Sequence, residues 1–172
     1  MIERRMPISD YLRELRAKVG SAYILTPCVT GLVFDESHRL LMVRHAHENG
    51  WGVLGGAIEP DETPEDAVVR EVWEETSLQV EPTRLRAVLG GPQFRVTYPN
   101  GDQVGYIAAV FDCRPIGGTI RPDGIEVVEA RFFEQSELVS LALSPYATSL
   151  GKIITTTEIA PLAHVTWHPP DA

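Results

Sequence analysis

Residues 56–78, GAIEPDETPEDAVVREVWEETSL, constrain this chain more tightly than any other stretch. Thr63 before Pro64 is a strong helix start: a hydroxyl at the N-cap, then proline at the first helical position, where its missing N–H costs nothing. Glu65 and Asp66 suit the positive end of the helix dipole, and Asp66 stands at the capping-box position, where Glu or Gln is usual. The pattern predicts a helix from about residue 64 to about residue 76. At about 100° per residue, Glu71, Glu74 and Glu75 share an arc of about 100°. Val69, Val72, Trp73 and Thr76 fill a similar arc opposite. The expectation is a helix that buries one face and aims three carboxylates from the other.

Such a cluster works against the helix. Glu71–Glu75 and Glu71–Glu74 are like-charge pairs at i,i+4 and i,i+3, each costing a few tenths of a kcal/mol in isolation, and only Arg70 stands near. A solvated face would alternate its signs. Clustered hard oxygens instead suit Mg²⁺ or Mn²⁺, and Mg²⁺ takes one or two carboxylates with water and phosphate oxygens. Gly55 and Gly56, after the apolar residues 51–54, let the backbone turn tightly and approach a ligand.

These residues resemble the Nudix box, G-x5-E-x7-R-E-U-x-E-E-x-G-U with U aliphatic. Gly56, Glu62, Arg70, Glu71, Val72, Glu74, Glu75 and Leu78 match, so eight of nine specified positions agree, and Ser77 replaces the last glycine. A chance match is on the order of 10⁻⁸ per window. The resemblance implies an α+β fold, a Nudix-type α/β/α sandwich around a central mixed sheet, over roughly residues 23–156. It also implies hydrolysis of a nucleoside diphosphate linked to another group, at a pyrophosphate bond, with Mg²⁺ or Mn²⁺ as cofactor. Glu71, Glu74 and Glu75 become metal ligands, with a backbone carbonyl of the Gly55–Gly56 loop joining them. Arg70 orients its acidic neighbours, and Glu62 lies behind them or occasionally contacts the metal. The general base stays open between the box helix (Glu71) and a later loop acid: Glu126 stands about where the family often places it, and Glu129 and Asp123 compete.

Substrate identity is less constrained. Pro92 lies 15 residues after Ser77, a spacing that resembles the proline of ADP-ribose-directed members. That favours ADP-ribose or a related nucleotide sugar. A nucleoside triphosphate pyrophosphohydrolase and a catalytically silent nucleotide-binding module are the alternatives. Gly56, Pro92, Phe94 and Tyr98 are the candidate substrate contacts; strand aromatics such as Phe94, Tyr98 and Tyr106 also suit a core. His45 and His47 flank the approach and carry no assignment.

The length of 172 residues fits one domain. Residues 1–20 read as an N-terminal helical extension, 21–157 as the hydrolase domain and 158–172 as an irregular tail. The extension is expected to pack on the domain or on a second subunit, which leaves a homodimer open. A net charge of −9 argues against tracking long nucleic acids, including an RNA-processing role, but not against a small phosphorylated nucleotide. No apolar run approaches a membrane span, and Cys28 and Cys113 lack zinc or disulfide-scaffold spacing. Buried free thiols in a reducing cytoplasm are the expectation.

Strands are predicted at 23–34, 39–43, 52–58, 85–90, 93–98, 104–113 and 127–133, with a break at Gly117-Gly118. Asn100-Gly101 should form a tight hairpin turn. Ser136 should start a helical turn, and Ser144-Pro145 a final helix to about residue 156.

Overall fold

The computed structural model describes residues 9–46 and 48–155. His47, the first eight residues and the tail from residue 156 lie outside the described residues. Among the described residues six strands form in order: β1 (Ile24–Val33), β2 (Leu40–His45), β3 (Leu78–Leu89), β4 (Arg95–Thr97), β5 (Gln103–Gly118) and β6 (Val127–Phe133). The helices are α1 (Asp10–Val19), α2 (Pro64–Thr76), α3 (Gln135–Leu138) and α4 (Pro145–Leu150).

The central sheet is mixed. β1 runs parallel to β5, and β3 and β4 pair antiparallel with its far edge. β2 and β6 form a separate antiparallel pair. Alternation along the strands splits the core into two layers. Val29 and Val33 of β1, with Leu41 and Val43 of β2 and Phe111 of β5, pack under Ala67, Val68 and Val72 of α2. Leu32, Leu40, Met42 and Val110 point the other way, against Leu138 of α3, Leu150 of α4 and Ile154. The expected α/β/α sandwich is present.

Several local expectations are corrected. Residues 52–58 form no continuous strand; they touch β1 and β2 only through isolated bridges, Val43 to Gly52, Gly31 to Leu54 and Cys28 to Ala57. β3 begins directly after α2 at Leu78, and β5 runs through Gly117 to Gly118, because the pairing of Leu78 with Gly118 extends the ladder. Pro92–Phe94 is a 3₁₀ turn before the short β4. At Asn100-Gly101 only Gly101 has positive φ (88°), so the hairpin closes by Gly101 N–H donating to the Tyr98 carbonyl. The final helix stops at Gly151 (φ 54°), which caps α4, and a 3₁₀ turn follows to Ile154.

Ser9 caps α1, accepting from the Leu12 N–H. The helix packs on its own domain: Arg16 donates to the carbonyls of Gly20, Ala22 and Gln103. Leu12 and Leu15 face Leu25, Pro27, Ala57 and Ile58 across a cavity of about 40 Å³. Cys28 and Cys113 are free and buried, and burial pushes both thiols up to about 12. Among the described residues no helix is long and apolar enough to cross a membrane.

Candidate active site

α2 starts as its sequence requires: the Thr63 side chain accepts from the Asp66 N–H at 3.1 Å and Pro64 opens the first turn. The helix is nonetheless turned from the predicted orientation. Its buried residues are Ala67, Val68, Val72, Glu75 and Thr76, while Trp73 is 48% exposed. The close approach to β1 decides this. A Cβ on Gly31 would lie 3.0 Å from Val68 Cγ2 and 3.1 Å from Val72 Cγ2, so the valine side, not the tryptophan side, seats on the sheet. That rotation splits the three carboxylates. Glu75 is 3% exposed, Glu71 is largely covered, and Glu74 remains 57% exposed.

Arg70 organises the outer acids. Its guanidinium donates to both oxygens of Glu62 (2.8 and 3.0 Å), to Glu71 Oε1 (2.8 Å), to Glu74 Oε2 (3.0 Å) and to the Ala57 carbonyl (3.0 Å). Planar fork geometry suits arginine to this role. The helix is thereby tied to the glycine loop.

The two glycines have separate tasks. Gly55 sits at φ 147°, and a Cβ there would lie 2.1 Å from the Val29 carbonyl oxygen. Its N–H donates to Glu75 Oε2 at 3.3 Å. At Gly56 a Cβ would lie 2.4 Å from the Glu71 carboxyl carbon, so the missing side chain is the space Glu71 occupies. The match of Gly56 to Glu71 across 15 residues is a packing fact that spacing alone does not reveal.

The loop before β6 closes the other side. Arg121 N–H donates to the Thr76 carbonyl (2.7 Å) and Asp123 N–H to the Glu75 carbonyl (3.3 Å), which tethers the loop to the C-terminal turn of α2. Asp123 accepts from the N–H groups of Ile125, Glu126 and Val127, so its carboxylate shapes the loop. Glu129 pairs with Arg44 at 3.5 Å on the strand surface. Of the three candidate loop acids, Glu126 is the partly buried one whose charge acts on both Glu71 and Glu75.

Burial pushes the Glu71 carboxyl up to about 7; Arg70 opposes the shift, and the charges of Glu74 and Glu126 add to it. Glu75 is raised well above the usual carboxylate range, first by burial, then by Glu71, Glu126 and Asp123. Two desolvated, mutually repelling carboxylates suit a hard divalent cation. Glu74 is engaged by Arg70, and among the described residues no group of three or more His, Cys, Asp or Glu side chains is arranged around one point. The site therefore offers a two-carboxylate donor set, which falls within the habit of Mg²⁺ when water and phosphate complete its shell.

The substrate candidates divide. Pro92 is exposed in the 3₁₀ turn after β3, and Tyr98 is half-buried, its hydroxyl bonded to that of Tyr106. Phe94 is 3% exposed and packs edge-to-face on Tyr146 inside the second core layer, so its ring is core and offers no stacking face. His45, left without a role by the sequence, lies beside Glu75, with Nδ1 4.0 Å from Oε1.

A mixed sheet between helical layers, with a capped acidic helix facing a glycine loop, defines a Nudix-type domain. The NUDIX domain family model matches residues 24–156, and the chain belongs to that family. A MutT-like protein of Streptomyces ambofaciens is 44% identical over 93 residues, 54% of each chain. The NAD-capped RNA hydrolase NudC of Photorhabdus laumondii is 29% identical over 137 residues, 78% of this chain and 48% of that protein. The chain spans about half the length of these curated relatives. Among solved structures, an ADP-ribose pyrophosphatase from Streptococcus suis superposes with a TM-score of 0.56 at 27% identity, covering 76% of this chain and 86% of that one. A UDP-X diphosphatase shares the fold, with a TM-score of 0.60 at 21% identity over 86% of this chain and 71% of that one.

Proposed function

We propose that this protein is a divalent-cation-dependent hydrolase that cleaves a pyrophosphate bond in a nucleoside diphosphate joined to another group, with ADP-ribose or a related nucleotide sugar as the favoured substrate. The observation that carries this reading is the buried Glu75 and the largely covered Glu71 beneath the Gly55–Gly56 loop, with the charge of Glu126 acting on both. Glu71 and Glu75 would hold the cation, Mg²⁺ or Mn²⁺, with the Gly55 carbonyl beside them, while Glu74, engaged by Arg70, stays outside this donor pair. When bound, the cation supplies charge neutralisation at the bridging phosphate oxygens and makes a bound water more acidic.

The chain supplies the rest. Glu126 accepts the proton of the attacking water. Arg70 holds Glu71 and Glu74 in place and keeps the helix locked to the loop. Gly56, expected from the sequence as a substrate contact, instead makes room for the Glu71 carboxylate, and Pro92 and Tyr98 border the nucleotide side. Preference for ADP-ribose is supported by the Pro92 spacing and by the likeness to the Streptococcus suis pyrophosphatase.

The test is a panel of nucleotide sugars, dinucleotides and nucleoside triphosphates with Mg²⁺ or Mn²⁺, read by phosphate-containing products. Release of AMP from ADP-ribose as the fastest reaction is the expected outcome. Pyrophosphate release from a triphosphate as the fastest reaction would replace it with the triphosphate reading, and no turnover of any member would leave a binding module.

A further inference from the structure

We propose that His45 is the positioning residue for Glu75, holding the buried carboxylate from the side opposite the Gly55 N–H; this rests on the reading of Glu75 as a cation ligand. Three features place its ring. β2 and β6 pair regularly until Arg44 meets Glu129, and then His45 meets Val127, so Val128 is bulged out of the ladder. A bulge re-aims the residues around it and is common beside active sites. Here it also brings Glu126 next to β2, where the Glu126 carbonyl accepts from the Ala46 N–H at 2.8 Å.

Second, Gly52 leaves room for the ring: a Cβ there would lie 2.9 Å from His45 Cδ2 and 3.1 Å from Nε2. Third, the Val53 carbonyl lies 3.4 Å from Nε2 and anchors that edge of the imidazole. The other nitrogen, Nδ1, is thereby turned to Glu75 Oε1 at 4.0 Å. Glu75 Oε2 is meanwhile taken by the Gly55 N–H. One oxygen of the carboxylate is set by the glycine loop and the other faces the histidine.

A separation of 4.0 Å exceeds a direct hydrogen bond, and such contacts in a free enzyme commonly tighten when ligand binds. Arg70 serves Glu62, Glu71 and Glu74, whereas His45 is set against Glu75. A partner that orients a metal-binding group typically changes metal affinity or activity by about 10- to 100-fold when removed.

The experiment compares His45→Phe, which keeps a ring but no nitrogen, with His45→Gln, which keeps a nitrogen donor. Mn²⁺ binding to the substrate-free protein is measured by electron paramagnetic resonance, and kcat and KM with the best panel substrate. His45→Phe should bind Mn²⁺ at least about tenfold more weakly and lose kcat by about as much, with KM little changed, while His45→Gln recovers most of both. Mn²⁺ affinity and kcat of His45→Phe within twofold of the native protein would overturn the proposal. So would a rise in KM alone, which makes His45 a substrate contact. Should His45→Phe not fold, His45→Asn, too short to reach Glu75, is judged by the same two readouts. Glu75→Gln run alongside separates the layers: unchanged Mn²⁺ binding in that variant refutes the cation site itself, whereas loss there with none in the His45 variants refutes only the role of His45.

Discussion

Asp112 and Glu75 are both buried carboxylates, 8% and 3% exposed, and the chain treats them oppositely. Asp112 on β5 is neutralised from within. Arg84 donates to Oδ2 at 2.9 Å through Nε, and Arg86, itself buried, donates to Oδ1 and reaches the Ile153 carbonyl at 3.2 Å. This network ties β3, β5 and the C-terminal 3₁₀ turn together. Glu75 receives one backbone N–H and a histidine at 4.0 Å, and it faces the charges of Glu71, Glu126 and Asp123. A buried charge that the fold completes holds structure; one that the fold leaves short of positive charge is suited to take a cation from outside.

The largest effect should come from Glu75. Glu75→Gln, or exhaustive EDTA treatment of the native protein, should lower kcat by about a hundredfold or more, since an anionic ligand or the cation itself is gone. The same variant should melt no lower than the native protein in EDTA, because an amide spares the folded state the cost of holding a carboxyl that it does not neutralise. A marked fall in its melting temperature would erase the contrast with Asp112.

Asp112→Asn should do the reverse. It strands Arg84 and Arg86 against a neutral amide, at a cost of about 3–5 kcal/mol. For a domain of this size that lowers the melting temperature by roughly 6–20 °C, while kcat of the folded protein stays near native. Loss of kcat without loss of stability would place Asp112 in the catalytic machinery.

The acid site should also leave a mark on the pH dependence of the metal-free protein. Glu71 is raised from 4.5 to about 7 by burial, so between these values the folded state keeps a proton that the unfolded chain has released. Stability from this group is full below the lower value and falls as pH rises through the window. Glu75 acts with the same sign. Melting scans in EDTA should therefore drop from pH 5 to pH 7.5, and added Mg²⁺ or Mn²⁺ should raise the melting temperature more at pH 7.5 than at pH 5. A flat profile in EDTA would mean that the two carboxylates are not held short of charge.

The smallest effect belongs to Ser77, where α2 ends at φ 58°, ψ 19° with its N–H donating to the Trp73 carbonyl. The left-handed cap that glycine would favour is kept, and serine bears a strain of roughly 1 kcal/mol. Glycine removes that strain but adds freedom to the unfolded chain. Ser77→Gly should raise the melting temperature by a few degrees at most and leave kcat within about threefold. A lower melting temperature would show that the serine cap is worth more than its strain.

Much of the fold was legible because its signals are local. Thr63-Pro64, the acidic first turn and the spacing of Gly56, Glu62, Arg70 and Glu71 each depend on a few neighbouring residues. The predicted α2 matches its observed bounds, and strands β1 and β6 fall within a residue of theirs. Residues 52–58 read as a strand yet form none, because their apolar run is covered by bridges to two different strands, which no periodicity encodes. The pattern after Ser144-Pro145 carries no stop at Gly151, because Gly151 acts as a cap only when the chain beyond it turns back onto the core.

By itself the sequence determined the acidic helix, its start, the glycine loop and the family, since helix capping and box spacing are properties of contiguous residues. Only the tertiary structure decided which glutamates would be buried. Gly31 let Val68 and Val72 seat on β1, turning Glu75 inward and leaving Glu74 to Arg70. It also decided that Phe94 belongs to the core and that a bulge at Val128, 83 residues beyond His45 in the chain, brings His45 and Glu126 to the same rim. Helix rotation and strand register are set by packing against distant segments, and no local pattern of residues carries that information.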